Sequence, residues 1–225
     1  MNLRDMFLCK NFGPQNSGGG DSGDGVPSYW KDLWQGAETV SSDDTVTFLP
    51  VGDFRKYLKR FDFPNGYAPG YFFQNATALE FLRLKGVHSL SYYLCQKCTA
   101  LTYADIGTIG YWGGWMFDGC TSLEVVKCKP TAGCHSIYSN QFANCKKLVT
   151  MVVDCEAVPA IHADAFASTP IAPSGTATDI AYGTGYIYVR KAVIEEFKVA
   201  TNWVTYADRF RAIEDYPDIC GEVTA

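Results

Sequence analysis

Apolar positions along this chain follow neither a sustained 3.6-residue helical period nor a simple strand alternation. They recur at a much longer interval. FFQNATAL carries Phe73, Ala76 and Leu79; YLCQKCTAL carries Cys95, Cys98 and Leu101; MFDGCTSL carries Phe117, Cys120 and Leu123. QFANCKKL carries Phe142, Cys145 and Leu148, and AFASTPI carries Phe166 and Thr169, with a proline where the leucine segment would begin. The first residues of these copies lie 22, 22, 25 and 24 residues apart. Five copies at that period predict a solenoid.

A short β-like run follows each leucine: LEFLRL (79–84), LTYADI (101–106), LEVVKC (123–128) and LVTMVV (148–153). With Φ for apolar, each reads L-x-x-Φ-x-Φ, which turns the first, fourth and sixth positions inward. A second apolar pair precedes the next copy: Val87 and Leu90, Ile106 and Ile109, Val158 and Ile161. Each coil should therefore hold one strand, a turn and a second short extended or helical piece. One coil cannot bury its own apolar face, and stacking several does. The remaining strand positions face outward in two columns, Phe81, Tyr103, Val125 and Thr150, then Arg83, Asp105, Lys127 and Val152.

The N-terminal part obeys other rules. Leu3, Met6, Phe7 and Lys10 have helical spacing, which predicts a short amphipathic helix within a docking segment over 1–15. Such a helix is too short to stand alone in water, so Leu3, Met6 and Phe7 are expected to meet a partner surface. Residues 16–26, including NSGGGDSGDG, read as a flexible spacer. Residues 27–60 form an entry region, with Pro27, Trp30 and Trp34 partly buried and VTFLPV (46–51) a strand. The charge run in RKYLKRFDF (55–63) reads as a solvated face. Repeats are expected over 61–185, and a closing strand and helix over 186–225.

The F-x-x-C-x-x-L repeat at 22–25-residue spacing resembles the BspA-type leucine-rich repeat. The stretch YIYVRKAVIEEFKVATNWVTYADRFRAI (186–213) resembles that family's closing segment, a last strand ending in Tyr-Val-Pro and then a helix with a Tyr-Lys-x-Ala-x-x-Trp signature. Arg190 stands where the proline is usual and Phe197 where the tyrosine is usual, while Lys198, Ala200 and Trp203 match. The resemblance spans roughly residues 61–216. It implies an α/β repeat solenoid of about five coils with a C-terminal capping helix, to which the Gly-rich composition adds a flexible N-terminal segment. It leaves function open, because one repeat fold serves many roles.

Composition narrows the classes. The 225 residues are 47% hydrophobic, 15% aromatic and 19% charged, with net charge −5. The sequence pI is about 5.2, which argues against binding a nucleic-acid backbone. No apolar run reaches the roughly 18 residues of a membrane span, and no secretory signal pattern opens the chain. Nine cysteines, an odd number, in a chain without an export signal point to reduced, buried thiols.

Cys95-x-x-Cys98 has the spacing of half a zinc site or a redox pair, but both residues also fall on repeat positions, which explains them as core. Cys134-His135 sits in the longest coil and is the leftover metal candidate. His88, His135 and His162 occupy related positions before the next copy, and nothing marks a thiol beside them as an activated nucleophile. Without a GxSxG, HExxH or P-loop pattern, no enzyme activity, cofactor or metal is expected. The binding candidates are aromatic: Phe81, Tyr103 and Val125 on the strands, then Tyr111, Trp112 and Trp115 of YWGGW, a pair of tryptophans suited to stacking on a flat ligand. Tyr92 and Tyr93 add aromatic surface nearby. The alternative is that these rings pack under the N-terminal region or against a neighbouring subunit.

The opening MNLRDMFLCKNFG with its Gly-rich spacer resembles the starts of tail and accessory virion proteins of gut-bacterial phages. A virion protein needs no signal, because particles assemble in the host cytoplasm. The expected function is thus a non-enzymatic virion-associated structural protein. Its partners would be other virion proteins, a host cell-surface protein or glycan, and copies of itself; no nucleic acid and no membrane are expected. The alternatives are a bacterial or protist repeat scaffold or adhesin, and a carbohydrate-binding module.

Overall fold

The computed structural model describes residues 39–41, 53–56, 58–63, 73–84, 92–132, 134 and 136–221. The docking segment, the spacer, Trp30, Trp34, VTFLPV, Val87, His88, Leu90 and His135 lie outside them.

Eight short strands make one parallel sheet in strict chain order. They are β1 (Thr39–Ser41), β2 (Arg60–Phe63), β3 (Phe81–Leu84), β4 (Tyr103–Ile109), β5 (Val125–Pro130), β6 (Thr150–Val153), β7 (Tyr186–Val189) and β8 (Phe210–Ala212). Each strand pairs with the one before it, so every coil advances the sheet by one strand, as in a solenoid. The register aligns Phe81, Tyr103, Val125, Thr150 and Tyr186 in one column, as the repeat alignment requires. The inward residues Leu79, Leu82, Leu84, Leu101, Ala104, Ile106, Leu123, Val126, Leu148, Met151 and Val153 are all fully buried.

On the turn side the first residues of the copies form the core ladder. Phe73, Cys95, Phe117, Phe142 and Phe166 are fully buried. Phe117 stacks on Phe142 at 5.7 Å and Phe142 on Phe166 at 5.2 Å, with ring planes within 10°. A second backbone ladder joins the coils here. The amide of Phe73 donates to Leu94 O (2.9 Å), that of Cys95 to Met116 O (2.8 Å), and that of Phe142 to Ala165 O (2.9 Å). Two residues after each rung the backbone turns left-handed, at Asn75, Lys97, Gly119, Asn144 and Ser168. The following Cys then tucks its thiol under the preceding coil. Cys98 donates to Phe73 O (2.9 Å), Cys120 to Cys95 O (3.0 Å) and Cys145 to Phe117 O (3.1 Å). Cys is small enough for that turn, apolar enough for the core, and carries one weak donor for the second lone pair of a carbonyl that already accepts an amide of its own turn.

Two sequence expectations change. RKYLKRFDF is more than a solvated charge run: Lys56 and Lys59 are exposed, but Asp62 is buried, Leu58 and Phe61 lie in the core, and Arg60–Phe63 is β2. Its Leu58-x-x-Phe61-x-Phe63 spacing is one more copy of the strand pattern, hidden because the outward positions are Arg and Asp. The closing segment also does more than cap. Helix α1 (Ile194–Val199) and a 3-10 turn (Trp203–Arg209) cover the open end, and the chain then adds β8 to the sheet. Trp203 anchors this cap. It meets Phe197 edge-on at 5.0 Å, and its Nε1 donates to Pro159 O at 2.6 Å.

The stretch after Thr169 leaves the stack and returns at Gly185, whose amide, with that of Thr184, donates to Pro170 O. A Cβ at Gly185 would lie 2.8 Å from Ile171 Cγ1 and 3.1 Å from Leu148 O, so glycine alone lets the chain rejoin.

Candidate binding face

The outer face of the sheet is built from the residues that alternate with the core positions. Its first column runs Arg60, Phe81, Tyr103, Val125, Thr150 and Tyr186; its second runs Asp62, Arg83, Asp105, Lys127, Val152, Tyr188 and Arg211. Coil stacking brings sequence-distant groups within contact distance.

Around β2–β4 the columns interlock. The Arg60 guanidinium sits 3.6 Å above the Phe81 ring, and Phe81 stacks on Tyr103 at 5.0 Å with planes 6° apart. Asp62 accepts from Arg83 through Nε (2.6 Å) and Nη2 (2.5 Å), and from Arg60 Nη2 at 3.1 Å. The hydrogen bond to Asp62 raises Arg83 above its ordinary value, against burial. Burial raises the Tyr103 phenol, and its buried hydroxyl finds no hydrogen-bond partner among the described residues. β4 is lengthened by an irregularity between Asp105 and Thr108, where Gly107 is left-handed and its amide donates to Asp105.

Around β5–β7 the face is covered by the chain itself. Helix α2 (Pro217–Cys220) and Gly221 lie across it. Lys127 Nζ donates to Gly221 O at 2.6 Å, and Tyr216 meets Tyr188 edge-on at 5.4 Å. A crevice of about 240 Å³ remains between them, lined by Asp105, Lys127, Val152, Asp154 and Cys220 among others. Burial lowers Lys127 below its ordinary 10.5, with Asp105 opposing.

A second aromatic cluster lies on the turn side. The hydroxyls of Tyr92 and Tyr111 are 3.1 Å apart, and the Tyr111 and Tyr138 rings are 6.1 Å apart. Tyr93 and Trp115 stack at 5.5 Å, both with left-handed backbone. Trp112 does not belong to this surface. It is 0% exposed and packs edge-on against Phe142 at 6.0 Å. The YWGGW pair therefore divides, one ring completing the core and one stacking outside. Gly114 lets the Tyr92 ring lie 3.3 Å from where a Cβ would stand.

A model of the BspA-type leucine-rich repeat region matches residues 53–172, in six copies. The chain belongs to this family. No curated protein matches it. The match begins at residue 53, so the first copy lies in the Leu58–Phe63 coil that its charged outer residues disguised. The BspA-type coils account for Cys95 and Cys98 as rungs, and no group of three or more His, Cys, Asp or Glu among the described residues is placed to hold a metal. Burial raises the Cys95 and Cys120 thiols well above their ordinary value; Cys98, just as buried, is instead lowered, because the thiols of Cys120 and Cys95 and the backbone at Ala76 surround its sulfur. Cys134 is half-buried and raised to about 11 by burial. His162 is exposed and pairs with Asp164 at 2.6 Å. Among the described residues no helix is long and apolar enough to cross a membrane.

What sequence reading missed on this face is Arg60 and Asp62, and the C-terminal cover. The first two were readable from the Leu58 pattern. The cover has no local signal, because Lys127 and Gly221 are 94 residues apart.

Proposed function

We propose that this BspA-type repeat domain is a non-enzymatic protein-binding module whose partner docks on the outer face of β2–β4. The observation that carries the reading is the Arg60–Phe81–Tyr103 stack. These rings lie outside the core, set side by side by the β3–β4 register, and the guanidinium above them is held by Asp62. Aromatic and arginine side chains that are rigid before binding lose little freedom on contact, which is the chemistry of interface hot spots. Val125 continues the same column toward β5. The test is affinity capture from the source cells with the full chain, with a Phe81→Ser/Tyr103→Ser variant, and with Lys97→Ala on the turn side as control. A protein retained by wild type and control and lost by the face variant supports the reading. Equal capture by all three overturns it.

The place of action is a further part of this proposal, resting on residues 1–26 alone. The amphipathic segment and Gly-rich spacer suit a docking arm, and we assign the module to a phage particle assembled in the host cytoplasm, with Leu3, Met6 and Phe7 as the docking contacts. Mass spectrometry of purified particles tests this. Stoichiometric presence that is lost on deleting residues 1–25 supports it, and absence from particles overturns it.

A further inference from the structure

Side chains on a one-layer repeat sheet should alternate, buried inside and partly exposed outside. β3 does, and so do the first four residues of β4, while Asp62 of β2 is 5% exposed because the Arg83 and Arg60 guanidinium groups enclose it. In β5, β6 and β7 the alternation fails at the same register position: Lys127, Val152 and Tyr188 face outward yet are 9%, 3% and 5% exposed. Tyr216 lies against Tyr188, Gly221 against Lys127, and Val152 lines the crevice that Cys220 and Gly221 close. None of the residues 216–221 is itself buried, so the core does not need them there. Among the described residues they reach the sheet through an edge-on ring contact and a carbonyl on an ammonium that has three protons to donate.

The shape of the covering piece says what this half-face accepts. Tyr216 precedes the single helical turn of α2 and lays its ring on Tyr188. Gly221 closes the turn, and its carbonyl points at Lys127. Carbonyls at the end of a helical turn carry partial negative charge and favour a cation. A free carboxylate would instead face Asp105 and Asp154, which line the same crevice.

We propose that Tyr216–Gly221 is an intramolecular occupant of the binding face, holding its β5–β7 half closed. A partner segment made of an aromatic residue followed by one helical turn, whose last carbonyls meet Lys127, displaces it and extends the interface across the whole sheet. This rests on the reading of the outer sheet face as the binding face.

The experiment uses the full chain, under reducing conditions, and a fluorescent peptide of residues 213–225 as probe. Wild type should bind the peptide weakly, because its own segment fills the site. Tyr216→Ser in the full chain should release that segment, seen as faster amide exchange over 216–221, and should bind the peptide at least tenfold more tightly by anisotropy. Adding Tyr188→Ser should abolish that gain. Continued protection of 216–221 in Tyr216→Ser overturns the proposal. So does release without peptide binding, or binding that Tyr188→Ser leaves unchanged. The titration uses no partner. Peptide binding together with unaltered partner capture by the Phe81→Ser/Tyr103→Ser variant would therefore overturn the binding reading while leaving the occupant in place.

Discussion

The two halves of the strand face share one interior and differ outside. Beneath β2–β4 and beneath β5–β7 the same kind of rung repeats, with apolar strand positions, a buried aromatic or Cys, and in three of the copies a thiol on a carbonyl. Above them, one half presents an arginine–aromatic stack locked by Asp62, and the other lies under Tyr216–Gly221. Repeat geometry thus dictates the inside of every coil and only the direction of the outside. What the outer residues do depends on what the chain brings to them.

The largest effect should come from the part both halves share. Phe142 sits mid-ladder, stacked on Phe117 and Phe166 and met edge-on by Trp112. Phe142→Ala should cost about 3–5 kcal/mol, the usual range for deleting a buried aromatic. Urea unfolding read with hydrogen exchange should show β3 and β7 losing protection together, because each coil is stable only against its neighbours. Loss confined to one half would mean that the halves are separate folding units and would break the comparison.

Asp62→Ala should act on one half. It leaves the guanidinium groups of Arg83 and Arg60 without their carboxylate in a partly buried place. The expected cost is about 1–3 kcal/mol, with protection of 216–221 unchanged. A change at 216–221 would show that the halves communicate through the sheet.

The thiols give a pH test of the shared interior. Burial holds Cys95, Cys120, Cys128 and Cys145 above the ordinary value of 9.0. Below about pH 9 both folded and unfolded chains keep these protons, and the stability they support is complete. Above it the unfolded chain ionises first, so stability should fall by up to about 1.4 kcal/mol per thiol per pH unit until the folded thiols also ionise. Urea midpoints taken from pH 8 to about pH 10.5 in reductant should fall with pH, and Cys145→Ala should fall less steeply than wild type. A flat profile would mean that these thiols ionise as freely inside as outside.

The interior was legible in the sequence because a fixed period exposes it. Phe73, Cys95, Phe117, Phe142 and Phe166 announce themselves at 22 to 25 residues, and the outward columns follow from register. Legibility failed where the pattern carried charge or where contact was not periodic. Arg60 and Asp62 masked a genuine coil. Trp112 and Trp115 share one motif, and nothing local says which ring turns inward. Tyr216–Gly221 reaches Lys127 through the closing of the whole stack, which no window of sequence contains. β8 escaped because FRA is only three residues long and follows the capping turn directly.

The finest comparison lies at the two ends of the first outer column, where an arginine covers a ring in each half. Arg60 lies 3.6 Å over Phe81, and Arg211 lies 4.2 Å over Tyr186. A cation over an exposed ring contributes about 0.5–1 kcal/mol. Arg211→Ala should cost about that much, since its other bonds go to nearby backbone carbonyls, Asp208 O and Phe210 O. Arg60→Ala should cost more, because it also removes a donor from Asp62. Combining each with Asp62→Ala separates the two contributions. The Arg60 effect should shrink toward the Arg211 value in that background, while the Arg211 effect should add unchanged across the sheet. If Arg60→Ala keeps its full cost without Asp62, then the ring contact, not the ion pair, orders the β2–β4 half, and the face is organised by stacking at both ends.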